Sequence, residues 1–427
     1  MSILTNLFGA TLRYAKFHRS QYWEPERLQA YRKDLLQKTL IAATRIPFYA
    51  SRFEGTCDLK DFPGLPCLKR SEVSKLNQSV RSLYPPTASF PSDCSSGSTG
   101  MPIEVLFDAS HQRGRYAARI RYLRQNGWSP LQRNAWIIYL PERTPDGYLI
   151  QSRARLASNF LSIFTDFAEQ VAWLRRVDPL FLYTIPSNLE ALLDLFEASG
   201  QRLPSLKRLF TGGEVLEDDL RSRAHRVLGV EVSDNYGTTE AFLAWECPEG
   251  SYHINSEHVL LEVVDEAGRP VAPGKTGKVL VTTLENYLMP LVRYEIGDYA
   301  VAAEENCPCG RNLPLLKSIV GRSINFFRLK DGRLVSPWEL VVRLKYRPEL
   351  RQFQIIQETV DRYELHFVAE SPLTPESQAQ LRRFFHEVLD SDVTVEFMPV
   401  EKIPRTPSGK FMTALSRLSD RPRSEQM

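Results

Sequence analysis

The feature that most constrains the fold is an alternation of short apolar runs with amphipathic helical stretches between residues 110 and 230. The apolar runs are Ala135–Leu140, Phe181–Thr184, Leu206–Thr211 and Val230–Asp234. Pro186–Ser199 and Leu216–Leu228 carry leucines at helical spacing. Strands that alternate with helices are typical of a parallel sheet covered by helices. We therefore predict layered βα structure in this part of the chain.

The remainder of the sequence predicts further elements and a second domain. Short β-like runs separated by turns between residues 258 and 304 indicate an antiparallel sheet. After Gly321, two strand-like runs, a helix and another strand predict a compact α+β unit of about 100 residues. At 427 residues the chain exceeds one ordinary core. We expect an α/β N-terminal domain over residues 1–321, with a small β-rich part, and a small α+β C-terminal domain over 322–427.

The N-terminal region carries weaker signals. Residues 24–52 read as one helix, because apolar residues recur there at helical spacing. These residues are Leu28, Tyr31, Leu35, Leu36 and Ile41. Residues 53–92 are rich in proline and predict irregular structure. The first residues, which include Leu4, Leu7 and Phe8, favour a helix packed on the body over contact with a membrane.

Composition and charge exclude several classes of protein. The net charge of +3 gives no reason to expect nucleic-acid binding. The sequence contains no run of 18 apolar residues, so we expect no transmembrane helix. The N-terminus lacks the features of a signal peptide. Six cysteines in a long chain of this kind favour a reducing compartment, so we expect a cytoplasmic protein. The oligomeric state stays open.

A loop rich in serine, threonine and glycine spans Asp93–Gly100, between a proline-rich approach and the β-like run Ile103–Phe107. Glycine allows close backbone approach, and the hydroxyls add donors, so such a loop suits a polyanion such as phosphate. A solvated turn is the alternative, because motifs of this length occur often by chance.

Five short motifs follow one another in a fixed order. They are the Ser/Gly loop, Phe210–Glu214, Asn235–Glu240, Arg293–Asp298 and Pro404–Lys410. The set resembles the adenylate-forming superfamily of acyl- and aryl-CoA ligases, peptide-synthetase adenylation domains and luciferases. Within it, the compact N-terminal region and the Cys-rich insert resemble the phenylacetate-CoA ligase and capsule-biosynthesis branch. The resemblance covers most of the chain, from about Pro91 to Lys410.

The resemblance implies an ATP-dependent ligase that forms an acyl- or aryl-adenylate, releases pyrophosphate and passes the acyl group to CoA or another thiol. The implied substrate is a small carboxylic acid. A carrier protein and an amine stay open as acceptors. Because such a reaction needs charge neutralisation and in-line positioning, polar and charged residues around phosphates suit it.

The resemblance also assigns roles to residues. The phosphate-binding residues would be Ser95, Ser96, Gly97, Ser98, Thr99 and Gly100. Gly213 and Glu214 would line the adenine, and Tyr236 would stack on the purine. The nucleotide would also be bound by Asn235, Gly237 and Thr238. Thr239 would contact the α-phosphate, Glu240 would hold Mg²⁺ and Asp298 would accept from both ribose hydroxyls. Arg322 would reach the ribose or α-phosphate, and Lys410 would neutralise charge where the carboxylate attacks. The walls of the acid pocket would be Tyr183, Phe210, Ala241 and Phe242.

Each of these residues also has a structural interpretation. Tyr236 could be a core aromatic, Asp298 could cap a turn and Lys410 could be a solvated charge. Two departures from the family pattern favour an inactive nucleotide-binding scaffold as an alternative. Met101 stands where the family usually has a lysine after the loop, and Ile324 stands near the hinge where it often has an acidic residue.

Three cysteines and a histidine predict a structural zinc site, since three thiolates and an imidazole suit tetrahedral zinc. The residues are Cys247, His253, Cys307 and Cys309, with His258 as the rival to His253. Similar inserts occur in part of the branch named above. Plain buried thiols are the alternative.

Overall fold

The computed structural model describes residues 3–53, 59–94, 103–138, 158–303, 307–322, 327–332, 334–335, 337–345, 347, 349–369, 371–404 and 412–418. Side chains are described within these ranges except at positions 3–8, 158, 322, 334, 338, 339, 342 and 345. The chain divides into two compact units, the first of which runs to Val320 and the second of which begins at Gly321.

The helices alternate with strands through much of the chain. The helices are α1 (Ile3–Ser20), α2 (Pro25–Thr44), α3 (Pro47–Ala50), α4 (Val73–Arg81), α5 (Ala109–Gln125), α6 (Phe167–Val177), α7 (Pro186–Ser199), α8 (Asp218–Leu228), α9 (Trp338–Lys345) and α10 (Pro375–Val388). The strands of the first unit are β1 (Ser92–Cys94), β2 (Glu104–Leu106), β3 (Asn134–Ile138), β4 (Ser158–Ser162), β5 (Phe181–Tyr183), β6 (Arg208–Phe210), β7 (Glu231–Ser233), β8 (Asn235–Gly237), β9 (Phe242–Glu246), β10 (Tyr252–Ile254), β11 (Val259–Val264), β12 (Thr276–Thr283), β13 (Tyr294–Ala302) and β14 (Leu315–Arg322).

A parallel sheet of five strands, in the order β4-β3-β5-β6-β7, lies in the first unit. Its connections run through α6, α7 and α8, whose apolar faces bury a core against one face of the sheet. Side chains alternate along a strand, so Leu182 and Leu209 enter that core while their neighbours point to the opposite face. The predicted βα layering is confirmed, and α7 has the bounds that its leucine pattern indicated.

A seven-stranded sheet in the order β11-β12-β13-β14-β10-β9-β8 follows in the chain. Its registered pairs are antiparallel, as the turn-separated runs predicted. One face of this sheet shares a large apolar core with α2, α3 and α4. Only Asp234 separates the end of β7 from the start of β8, so the two sheets are joined at this residue.

The second unit is α+β, as its sequence pattern predicted. Its strands are β15 (Phe327–Arg328), β16 (Leu334–Val335), β17 (Gln352–Gln357), β18 (Arg362–Val368), β19 (Thr394–Pro399) and β20 (Ala414–Ser416). The last four form a sheet in the order β19-β18-β17-β20, and α10 buries Leu381 and Phe385 in its core. The short strands β15 and β16 and helix α9 had no clear signal in the sequence.

Two predictions for the N-terminal region are wrong. The single helix over 24–52 divides into α2 and α3, because Ile46 precedes Pro47 and takes an extended conformation that ends a helix. Ile41, one of the apolar residues at helical spacing in that stretch, is 46% exposed. The stretch 53–92 also contains a helix, α4, whose apolar side chains Val73, Leu76 and Val80 are buried. Short helices with so few apolar positions give little periodicity to detect.

Helix α1 packs against α5, which agrees with the expected N-terminal helix on the body. The side chains of Leu4, Leu7 and Phe8 lie outside the described set. Among the described helices, none combines the length and the apolar character that a membrane span requires.

Candidate active site and metal cluster

The β8–β9 hairpin places Glu240 in a tight turn. Within this turn the Thr238 amide donates to the carbonyl of Ala241 at 2.9 Å, and the Ala241 amide donates to Thr238 Oγ1 at 3.3 Å. Thr239 is half-buried, and Glu240 is only 4% exposed. Turn geometry therefore fixes the backbone on both sides of these two residues.

His111 on α5 fixes the same turn from a distant part of the chain. Its Nε2 lies 2.9 Å from the carbonyl oxygen of Glu240, so this nitrogen carries the proton that is donated. The ring stacks on Phe107 and lies 4.5 Å from the ring of His258. Burial, aided by the charge of Arg115, lowers the pKa of His111 to about 3, so the imidazole stays neutral.

Tyr236 and Asp298 bring two of the predicted motifs into direct contact. The Tyr236 hydroxyl donates to Asp298 Oδ2 at 2.6 Å, and both side chains are largely buried. Asp298 lies on β13 after Gly297, which has a φ of 85° that favours glycine. The pKa of Tyr294, from the same motif, is raised by burial first and then by the charge of Glu240. The hydrogen bond between Tyr236 and Asp298 joins β8 to β13.

The Phe210–Glu214 motif lies at the carboxyl end of β6, beside Asn235. A Cβ atom on Gly212 would lie 2.4 Å from Nδ2 of Asn235, so only glycine fits there. Gly213 takes a φ of 86°. The Glu214 carboxylate accepts from the backbone amide and the hydroxyl of Ser187, at 2.8 and 3.0 Å, and so caps the N-terminus of α7. No local sequence pattern indicated this capping role.

The four predicted wall residues of the acid pocket differ in their exposure. Phe210 and Ala241 are buried in the core, whereas Tyr183 and Phe242 are half-buried. Phe210 contacts Tyr122 of α5 edge-on, with ring centroids 5.4 Å apart. Trp136 stacks on Tyr183 at 5.0 Å and had not been predicted as part of this wall. Its position two residues into a strand of the parallel sheet is the signal that could have identified it.

A pair of buried carboxylates lies where the hairpin meets the parallel sheet. Asp234 accepts hydrogen bonds from Thr211 at 2.6 Å and from Tyr252 at 2.7 Å. Glu246 accepts from the Asp234 amide at 2.8 Å and pairs with Arg221 at 3.0 Å. Burial raises the pKa of Asp234 to about 6 and that of Glu246 to about 7.

The four predicted zinc ligands lie together. Their ligand atoms are all within 4.8 Å of one another. Cys247 follows β9, His253 lies on β10, and Cys307 and Cys309 precede β14; these three strands are neighbours. The Sγ atoms of Cys247 and Cys307 are 3.6 Å apart, and Cys309 Sγ is 3.2 Å from His253 Nε2.

These distances fit a tetrahedral metal. Metal–sulfur bonds of about 2.3 Å place two sulfurs of a tetrahedron about 3.8 Å apart. Burial, with the nearby charges of Arg311 and Arg121, lowers the pKa of His253 to about 4, which keeps the ring available as a neutral ligand. His258, the rival ligand, packs against His111 instead and is not part of the group.

Several predicted site residues lie outside the described part of the chain. These are the loop residues Ser95, Ser96, Gly97, Ser98, Thr99 and Gly100, the side chain of Arg322, and Lys410. Their assigned roles stay predictions.

Each of the two compact units contains a match to a different family model. Residues 151–288 match the family model described as AMP-binding enzyme, and residues 328–416 match that of the CapK C-terminal domain. A phenylacetate-coenzyme A ligase of Thermus thermophilus is 29% identical over 396 residues, which cover 86% of each chain. The enzyme of the same name from Escherichia coli is 28% identical over 302 residues, covering 64% of this chain and 67% of that one.

Solved structures share the fold. A 2-hydroxyisobutyryl-CoA ligase in complex with 2-HIB-AMP superposes with a TM-score of 0.74 at 21% identity, and 93% of each chain is covered. An anthranilate CoA ligase in complex with anthranoyl-AMP gives a TM-score of 0.56 at 20% identity, covering 75% of this chain and 65% of that one.

Proposed function

Since this chain belongs to the adenylate-forming superfamily, in its phenylacetate-CoA ligase branch, we propose that it is an AMP-forming ligase that joins a small carboxylic acid to CoA. In the first step a carboxylate oxygen attacks the α-phosphorus of ATP. The bond to the bridging oxygen breaks, and pyrophosphate leaves with its electrons. In the second step the CoA thiolate attacks the acyl carbon, a thioester forms, and AMP leaves.

The observation that carries this proposal is the contact between Tyr236 and Asp298. These residues belong to two of the five motifs and lie 62 positions apart, yet their side chains are hydrogen-bonded. One oxygen of Asp298 accepts from Tyr236, and a carboxylate has further lone pairs with which to accept from the ribose hydroxyls. The Tyr236 ring and the backbone of Gly213 would lie against the adenine.

The phosphates would be held by the loop at 95–100 and by Thr239, whose hydroxyl flanks Glu240. Lys410 would add a positive charge where the carboxylate attacks the α-phosphate, and Arg322 would contact the ribose or the α-phosphate. Positioning and charge neutralisation supply most of the rate in phosphoryl-type transfers, so these groups need not form covalent bonds.

Glu240 fits a magnesium ligand, because Mg²⁺ in nucleotide sites is held by one or two carboxylates together with phosphate oxygens. When bound, the ion would neutralise charge on the phosphates. The chain's own contribution is to hold the backbone of Glu240 in place through the turn and through His111.

The cysteine and histidine cluster is proposed to hold a structural zinc ion through Cys247, His253, Cys307 and Cys309. Four protein ligands would leave no open position, which is typical of structural rather than catalytic zinc. The ion would tie the end of β9 to β10 and to the segment before β14.

Pyrophosphate exchange into ATP tests the adenylation step. Purified protein with Mg²⁺ should show exchange with one class within a panel of aryl, short acyl, fatty and amino acids. Lys410→Ala should lower that exchange by orders of magnitude while ATP binding is nearly unchanged, since its charge acts mainly on the transition state.

Lys402→Ala serves as the control, because Lys402 is an exposed lysine of the same unit. Wild-type exchange rates in the Lys410 variant would contradict the role of that residue. A folded wild-type protein without exchange for any acid would contradict the proposed function.

A further inference from the structure

Four aromatic side chains form a row across the parallel sheet. The register pairs Phe160 with Trp136, Trp136 with Tyr183, and Tyr183 with Phe210 on neighbouring strands. Side chains at paired positions of neighbouring strands share one face of a sheet. The Trp136 and Phe160 rings lie 5.9 Å apart and are nearly parallel, and Trp136 and Tyr183 lie 5.0 Å apart. We call these four residues the aromatic row.

The aromatic row is closed at one end and more open at the other. It lies on the face opposite the core formed with α6, α7 and α8, whose apolar contacts come from alternate residues such as Leu182. At the closed end Tyr122 covers Phe210, which is 1% exposed. Tyr183 and Phe160 are only half-buried. A ligand could therefore lie against the rings of these two residues.

Arg119 lies over the middle of the aromatic row. Its Cζ atom is 5.3 Å from the centre of the Trp136 ring and 5.4 Å from that of Tyr183. Two other arginines of α5 have acidic partners: Arg115 pairs with Asp93 at 3.5 Å, and Arg121 pairs with Glu257 at 2.7 Å. Within the described residues, no carboxylate lies at ion-pair distance from Arg119. Contact with ring faces does not use up the five N–H donors of a guanidinium.

The aromatic row reaches the proposed nucleotide site. The Tyr183 hydroxyl accepts from Asn235 Nδ2 at 3.3 Å, and Asn235 immediately precedes Tyr236 on β8. An acid whose carboxylate is activated beside Tyr236 would extend its remaining atoms along Tyr183 and Trp136. Arg119 would then face the part of the acid that is distant from the reacting carboxylate.

We infer that Arg119 selects an aromatic acid that carries a second anionic group, such as a carboxylate or a phosphate. This inference rests on the proposed function and assigns its substrate class. Flat rings stack well on the aromatic row, and a guanidinium matches the geometry of a second carboxylate or phosphate. An aromatic acid without an acceptor would leave the donors of Arg119 unpaired as water is displaced, at a cost in binding. A substrate with a cation in this position would be repelled.

The test compares acids in matched pairs. Pyrophosphate exchange is measured for benzoate against isophthalate and terephthalate, and for phenylacetate against 4-carboxyphenylacetate. Wild-type protein should favour the member with the second carboxylate by about tenfold to a hundredfold in kcat/KM, as expected for one charge-assisted contact. Arg119→Met should abolish that preference, so that the ratio of kcat/KM between the two members of each pair falls to about one.

Two further variants sharpen the comparison. Arg119→Lys should keep part of the preference, since a lysine keeps the charge and loses the planar pair of donors. Arg124→Met is the matched control, because Arg124 is an exposed arginine of the same helix. It should keep the full preference. Thermal melting of each variant confirms that it is folded.

Two outcomes would overturn the inference while the proposed function stands. One is a wild-type protein that favours the plain acid of each pair. The other is an Arg119→Met variant that loses exchange equally with both members, which would place Arg119 at the reacting carboxylate instead. In both outcomes the wild-type protein shows measurable exchange. No exchange with any acid would contradict both the proposed function and the inference. That outcome can therefore be distinguished from the two named above.

Discussion

The two ends of the β8–β9 hairpin carry different chemistry. At the turn end, His111 contacts the backbone carbonyl of Glu240, whose carboxylate oxygens suit a hard cation. At the open end, Cys247 lies with two further thiols and an imidazole that suit a softer metal. The five residues of β9 separate the two ends, at a rise of about 3.4 Å per residue.

One short hairpin could thus serve both the reaction and the stability of the fold. The turn end gathers residues whose charges would act on a bound nucleotide. The open end gathers residues that would tie neighbouring strands together. Changes at the turn end should therefore alter rates with little loss of stability, and changes at the open end should do the opposite.

The largest expected effect comes from Glu240→Gln. It keeps the size of the side chain and removes the charge proposed to hold Mg²⁺. Exchange of pyrophosphate into ATP should fall by about 10²- to 10³-fold, the size of one lost electrostatic contact to a transition state. The melting temperature should stay near that of the wild type, because the variant buries no additional charge.

Glu231→Gln is the control for this variant, since Glu231 is an exposed carboxylate just before the hairpin. It should leave exchange unchanged. A Glu240 variant that loses stability and keeps its exchange rate would break the distinction between the two ends.

Cys309→Ser should have the next largest effect, on stability. The loss of one ligand should lower the zinc content measured by elemental analysis and the free energy of unfolding by about 3 kcal/mol, because structural zinc contributes to folding. Protein that stays folded at low temperature should keep most of its exchange activity.

Cys67→Ser is the matched control, because Cys67 is a half-buried thiol outside the cluster. It should change neither the metal content nor the stability by much. Metal-free wild-type protein of normal stability would argue against a zinc site.

The smallest expected effect concerns pH and Asp234, which lies at the open end. The groups that face this carboxylate are the hydroxyls of Thr211 and Tyr252, the guanidinium of Arg221 and the carboxylate of Glu246. Burial raises its pKa from 3.8 to about 6. Between these values the folded protein binds this proton more tightly than the unfolded chain does. Rising pH in this window therefore lowers the free energy of unfolding.

Asp234→Asn should remove that contribution. Denaturation curves should show that, from pH 4 to pH 6, the free energy of unfolding of the wild type falls by about 2 kcal/mol more than that of the variant. Asp265→Asn is the control, because hydrogen bonds from Arg269 lower the pKa of that exposed carboxyl, which therefore titrates below this window. Equal slopes for wild type and Asp234→Asn would show that the open end does not titrate as described.

Much of the fold follows from local pattern. The leucines of Pro186–Ser199 and the alternating runs of 258–304 predicted elements that the structure contains, because each pattern repeats within a few residues and so needs no distant contact. Helix α4 was missed, since three apolar positions between proline-rich segments give a weak period. The break between α2 and α3 was also missed, although Pro47 marks it.

The residues of the candidate site also differ in whether the sequence could indicate them. Motif order predicted Glu240, Tyr236 and Asp298 as residues of one site, and in the structure the Tyr236 hydroxyl donates to Asp298. It did not identify His111, which supports the turn through a backbone carbonyl 129 positions away. A contact with a backbone atom places no constraint on the type of the residue at the other end, so no sequence motif records it.

By itself, the sequence indicated the family resemblance, the α/β class, and three cysteines with one of two histidines that could hold a metal. Only the tertiary structure decided between His253 and His258, and only it placed Arg119 on the aromatic row. The physical reason is that both outcomes depend on which face of a strand or helix meets a distant element. His253 and His258 lie five positions apart, with the end of β10 between them, so their directions depend on strand pairing. Strand pairing is a property of the folded sheet that no local pattern contains.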